Sequence, residues 1–146
     1  MPVKRASQIR VGKLRYTLTM SRRLLIIDDD DALRESLALV LGAEGFEVAV
    51  AAHADEALAR LDDASPEIVL CDLRMPGTDG LTLLPELARR RTDATLILMS
   101  AYGTEELAIE AMRRGAYDYL AKPFQPSEVL LAIRKAQERE RLRRKT

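Results

Sequence analysis

The 146-residue chain carries 23 Lys/Arg against 23 Asp/Glu, with one histidine and one cysteine. That length suits one domain with its own core, no apolar run approaches the roughly 20 residues of a membrane-spanning helix, and the lone Cys71 excludes an internal disulfide and fits a reducing cytoplasm. The zero net charge hides a segregation: residues 1–23 hold seven basic and no acidic residues, residues 134–146 seven basic and two acidic, and 24–133 nine basic and 21 acidic, a net of −12. Basic ends can attract nucleic acid, but without interleaved aromatics or a reading motif these are expected to be solvated tails. Direct nucleic-acid binding and membrane association are therefore not expected.

Residues 1–20 are basic and lack the continuous apolar stretch of a secretory signal. Met20-Ser21-Arg22 resembles a natural start, so 1–20 is expected to be a flexible extension. The organising stretch follows at Leu24–Asp31, four aliphatic residues running into four carboxylates. A short apolar run bounded by polar residues is the pattern of a strand buried on both faces. Four adjacent carboxylates raise one another's pKa or demand a cation, whereas a helix cap needs only one or two. Strand one is predicted at Arg23–Ile27, and helix one over 32–43, with Leu33, Leu37, Val40 and Leu41 on one face, Asp30 or Asp31 at its cap and Gly45 past its end.

Phe46–Ala51 is predicted as strand two and Asp55–Leu61 as helix two, with His53 at its start in a surface role and Ser65-Pro66 as the following turn. Glu67–Cys71 is the third strand and delivers Asp72. Asp79 is placed to cap a helix over 80–91, which Pro85 should weaken by removing an amide donor and crowding the carbonyl four residues back. Strand four, Ala94–Met99, delivers Ser100. Thr104 caps the next helix, Glu105 and Glu106 suit its dipole and Gly115 ends it. Strand five, Tyr117–Leu120, delivers Lys122, and the last helix runs from Pro126 past 140 with Val129, Leu130, Ile133 and Ala136 inward. Strands and helices that alternate in this way predict a doubly wound, five-stranded parallel sheet.

In such a sheet all carboxyl ends lie on one rim. That rim collects Asp28 and Asp29, then Asp72, Ser100 and Lys122. Each alone has an ordinary explanation as a cap or a surface residue; together they point to a site. Hard carboxylate oxygens favour Mg²⁺, and with the charge neutralised one Asp can attack phosphorus as a nucleophile. A lysine and a hydroxyl would then neutralise the transferring oxygens. No glycine-rich phosphate loop is present, which disfavours a nucleotide substrate.

The segments IIDD at 26–29, DLRMPGTDG at 72–80, SAYG at 100–103 and YLAKPF at 119–124 resemble the receiver domain of bacterial two-component response regulators. The resemblance covers about 22–135 and implies a flavodoxin-like strand order 2-1-3-4-5. It implies that Asp72 accepts a phosphoryl group from a sensor histidine kinase. Mg²⁺ would be held directly by Asp29, Asp72 and the backbone carbonyl of Arg74, with Asp28 bound through water, and Lys122 would bind the phosphoryl group before a cis Pro123. Ser100 and Tyr119 would be the switch pair, changing the face formed by helix four, strand five and helix five to control dimerisation and output. Arg74 and Tyr102 flank the site and are expected to tune hydrolysis. The family catalyses only its own phosphorylation and dephosphorylation, so an enzyme acting on other substrates is not expected.

The stretch from Ala101 to Phe124 also resembles receivers of the nitrogen-regulator class, whose outputs are ATPase activators of sigma-54 promoters. The apolar stripe of the last helix fades at Glu140 and Arg143, so 21–135 is read as the receiver and 136–146 as a helical linker to a C-terminal output domain outside this chain, or a dimer contact. Two other readings compete. A haloacid-dehalogenase-like phosphatase shares the DxD at 28–30, but Ala32 replaces that family's Thr or Val and its later acidic pair is missing. A receiver-like module that binds partners without phosphorylation is disfavoured by the intact set of five residues.

Overall fold

The computed structural model describes residues 22–75, 80–91, 93–101 and 104–145, with side chains described to Arg143. The expectations for 1–20, for the Asp79 cap and for Tyr102 lie outside the described residues. The elements are β1 (Arg23–Ile27), α1 (Asp31–Ala43), β2 (Glu47–Ala51), α2 (Ala54–Ala64), β3 (Ile68–Asp72), α3 (Gly80–Arg90), β4 (Thr95–Ser100), α4 (Glu105–Arg113), β5 (Ala116–Ala121) and α5 (Pro126–Lys145). The strands pair in parallel in the order β2-β1-β3-β4-β5. This is the doubly wound parallel sheet that the alternation predicts, in the flavodoxin-like order that the resemblance implies.

Strand side chains alternate between two core layers because the pleat has a period of two. Leu25, Ile27, Val69, Cys71, Leu96 and Leu98 pack with Leu61, Leu84 and Leu87 beneath α2, α3 and α4. Leu24, Ile26, Ile68, Leu70, Ile97 and Met99 pack with Leu37, Leu41, Val129 and Ile133 beneath α1 and α5. The central strands β1, β3 and β4 are covered on both faces, which is why they read as unbroken apolar runs. Among the described residues no helix is long and apolar enough to cross a membrane.

The predicted elements all form, with ends shifted by physical causes. β3 and β4 each extend one residue further than predicted, so that Asp72 pairs with Met99 and Ser100 with Ala121 inside the sheet ladder. α2 is longer at both ends than Asp55–Leu61, because His53 caps it: the His53 Nδ1 accepts from the Glu56 N–H at 3.3 Å. Asp30 is the α1 cap, accepting from the Leu33 N–H at 3.1 Å, and Thr104 caps α4 through the Leu107 N–H at 3.2 Å. Gly45 and Gly115, past the ends of α1 and α4, take φ of 98° and 112°, the left-handed region that favours glycine.

Pro85 does not interrupt α3. The Leu81 carbonyl four residues back, deprived of an intrahelical donor, accepts instead from Arg114 Nη1 at 3.0 Å. Packing of α5 reaches further than its apolar stripe implies. Glu140 is buried and accepts from the Thr95 hydroxyl at 3.2 Å and from Arg143 Nη1 at 2.9 Å. Gln137 is also buried, and Arg139 lies over the Tyr117 ring at 4.6 Å. The helix is continuous across 135 and 136.

Candidate functional site

Backbone hydrogen bonds that continue the sheet ladder root Asp28, Lys122 and Leu73, the residue after Asp72. The Asp28 N–H donates to the Ala51 carbonyl (3.1 Å), the Leu73 N–H to Met99 (2.8 Å) and the Lys122 N–H to Ser100 (2.7 Å). The side chains at these positions are thereby set by the most rigid part of the fold. Gly80 brings the start of α3 hard against this rim: its N–H donates to the Leu73 carbonyl at 2.5 Å, and a Cβ there would lie 2.5 Å from the Asp72 carbonyl oxygen. Only glycine permits that approach. The Lys122–Pro123 peptide bond is cis.

Lys122 joins two of the acids. Its Nζ donates to Asp28 Oδ2 at 2.7 Å and to Asp72 Oδ1 at 3.3 Å. The second Asp28 oxygen accepts from the Asp30 N–H at 2.9 Å. Asp28 and Asp72 are buried and Asp29 is exposed at the mouth of the cleft. Carboxylate oxygens of Asp28, Asp29 and Asp72 all lie within 4.8 Å of one another.

One ammonium cannot neutralise three carboxylates. Burial, then repulsion from Asp28, pushes the Asp72 carboxyl up to about 6 from an ordinary 3.8, against the opposing pull of Lys122 and of a backbone hydrogen bond from Arg74. Burial disfavours the charge on Lys122, but the Asp28 hydrogen bond and the fields of both acids outweigh it and raise its pKa. Burial and the two carboxylates also push the Cys71 thiol up, so it is an inert core residue. The residual negative charge and the hard oxygen donors fit a small divalent cation with room for water in an open cleft.

Asp28, Asp29, Asp72 and Lys122 are thus brought together, and Arg74 lies exposed at the cleft's edge. Ser100 is buried at the end of β4 and does not line the cleft; its neighbour Ala101 does. Tyr119 packs against the core layer under α4, and its hydroxyl is buried without a hydrogen-bond partner among the described residues. Three contributors escaped the sequence reading. Arg34 donates to the Asp28 carbonyl at 2.7 Å, Gly80 permits the close approach of α3, and Arg114 ties α4 to α3. An RxxL pattern in an amphipathic helix carries no such signal, and Gly80 was visible only as the last letter of a motif.

Residues 24–134 match the family model of the response regulator receiver domain. The chain belongs to that family. This receiver domain is 40% identical over 119 residues to the regulatory protein AtoC of Escherichia coli, covering 82% of this chain and 26% of that protein. It is 38% identical over 117 residues to the chemotaxis protein CheY of Bacillus subtilis, covering 80% of this chain and 98% of that protein. Among solved structures it superposes on NtrX from Brucella abortus with a TM-score of 0.81 and 36% identity, over 86% of this chain and 29% of that one. The receiver domain therefore spans about a quarter of AtoC and nearly all of CheY. Its relatives include regulators of the nitrogen-regulator class, NtrX among them, as the stretch from Ala101 to Phe124 implies.

Proposed function

We propose that the chain is the phosphoacceptor module of a two-component response regulator, with Asp72 the residue phosphorylated by a sensor histidine kinase. The observation that carries this is the convergence of Asp28, Asp29 and Asp72 within 4.8 Å, with Lys122 bridging Asp28 and Asp72. A carboxylate oxygen of Asp72 forms a bond to phosphorus while the P–N bond of the donor phosphohistidine breaks. The imidazole nitrogen leaves with the electron pair and takes a proton from solvent. Water later attacks the same phosphorus, releasing inorganic phosphate and restoring Asp72. The protein thus catalyses only its own modification and its reversal.

Asp28, Asp29, Asp72 and the Arg74 carbonyl would hold Mg²⁺, which when bound supplies charge neutralisation for the acids and for the phosphoryl oxygens. Lys122, already anchored between the two buried acids, is placed to neutralise another of those oxygens. The new dianion draws the Ser100 hydroxyl toward it, and the space vacated admits Tyr119. The Tyr119 hydroxyl, buried without a partner among the described residues, favours that rotation, since a buried donor without a partner costs about 1–3 kcal/mol. The α4–β5–α5 face then changes shape by a shift of population between two states, which would drive homodimerisation. Relatives named as regulatory and DNA-binding transcriptional proteins support a C-terminal output domain acting in transcription, in the cytoplasm.

Intact-mass measurement after incubation with acetyl phosphate tests the reading. The wild-type chain is expected to gain one base-labile phosphoryl group only with Mg²⁺, and Asp72→Asn none. Phosphate incorporation by Asp72→Ala, or multiple turnover of a phosphate monoester, would overturn it in favour of a different acceptor or of a phosphatase.

A further inference from the structure

Asp28 is held at every polar atom: its N–H by Ala51, one carboxylate oxygen by the Asp30 N–H, the other by Lys122 and its carbonyl by Arg34. Asp29 is the opposite case. It is exposed, and among the described residues no hydrogen bond or ion pair holds its carboxylate. Its placement therefore depends on the backbone that precedes it. The Asp28 carbonyl and the Asp29 N–H belong to one rigid peptide plane, so a strong bond to that carbonyl fixes the rotation from which the Asp29 side chain projects.

Arg34 makes that bond. Its Nη1 donates to the Asp28 carbonyl at 2.7 Å, while Nη2 donates to Asp31 Oδ1 at 2.6 Å. The planar fork thus spans the turn from the end of β1 to the first residue of α1, and the side chain is only 16% exposed. A basic residue near a helix N-terminus opposes the macrodipole, so helix stability is a poor reason for an arginine there. A lysine could make one of the two bonds but not both in a fixed plane.

We infer that Arg34 is a positioning residue of the cation site, orienting the Asp28–Asp29 peptide so that Asp29 presents its carboxylate to the ion held by Asp72. This rests on the cation-dependent reading above. Partners that orient a metal ligand without touching the metal typically change affinity by about 10–100-fold.

The test is calorimetric titration of the full chain with Mg²⁺, alongside thermal denaturation in a chelator. Arg34→Met is expected to weaken Mg²⁺ binding about tenfold. Arg34→Lys should show a smaller loss, and Arg60→Met, at an exposed ion pair on α2, none. Wild-type affinity in Arg34→Met, even with a lowered melting temperature, would overturn the inference and leave Arg34 a helix-stabilising residue. Should Arg34→Met not fold, unchanged affinity in Arg34→Lys does the same. No Mg²⁺ binding by the wild-type chain would instead sink the cation-dependent reading itself.

Discussion

Asp72 sits in a cleft where burial and the neighbouring Asp28 disfavour its charge. Without a divalent ion its carboxyl titrates near 6 rather than 3.8, so folding takes up a proton between those values. The sign follows: this group's contribution to stability is greatest below about pH 4 and is lost as the pH rises through 6. Moving a carboxyl's titration that far corresponds to roughly 3 kcal/mol, and allowing for solvent at the open mouth we expect about 1–2 kcal/mol. Urea denaturation in a chelator should therefore show the metal-free chain losing stability from about pH 4 to pH 7. Asp72→Asn should flatten that profile and be the more stable protein at neutral pH; the same loss of stability with pH in Asp72→Asn would assign the effect elsewhere. At Gly80, alanine must push 2.5 Å contacts with the Asp72 backbone apart. Gly80→Ala should cost about 1–3 kcal/mol and slow phosphorylation, and retention of both stability and rate would refute the close-approach argument. The acids and Lys122 were legible because charged residues at the ends of apolar runs stand out. Arg34 was not, because its role depends on where one side chain folds back onto a carbonyl.

At the scale of elements, α3 and α4 are joined by a hydrogen bond that exists because of a proline. Pro85 leaves the Leu81 carbonyl without a helical donor, and Arg114 supplies one. Arg114→Ala should destabilise the chain by about 0.5–1 kcal/mol, the net worth of an exposed hydrogen bond. In Pro85→Ala the helix gains an N–H at position 85, and the cost of Arg114→Ala should shrink. A double-mutant cycle in chemical denaturation checks this, and additivity of the two changes would contradict it. The element pattern itself was readable from periodicity alone, because β1, β3 and β4 are buried on both faces and the helices carry one apolar stripe. Strand ends were not. Asp72 and Ser100 lie inside the ladder, where a polar residue after an apolar run reads as the beginning of a loop. Nor was the burial of Glu140 legible: a carboxylate on a fading stripe enters the interior where Thr95 meets it across 45 residues of sequence separation and Arg143 pairs with it.

For the whole molecule, the sheet's topology does most of the work of building a site. Parallel strands carry Asp28, Asp72 and Ser100 to one rim, and Lys122 follows β5 to the same place. Opposite charges 94 residues apart in sequence meet at 2.7 Å. Under the proposed function, phosphorylation at this rim would reach the α4 side of the sheet, because Tyr119 and Leu107 pack in the same core layer there. If that coupling drives association, sedimentation should show a larger species after Mg²⁺ and acetyl phosphate, with Asp72→Asn unchanged. Identical sedimentation of the phosphorylated and unmodified chain would dissociate the switch from dimerisation. The acceptor's identity is tested most directly by trapping the acyl phosphate. After phosphorylation with Mg²⁺, borohydride reduction followed by peptide sequencing should place homoserine at position 72. Homoserine at position 28 or 29 instead, or no conversion in a chain that has gained phosphate, would contradict the assignment of Asp72 as acceptor.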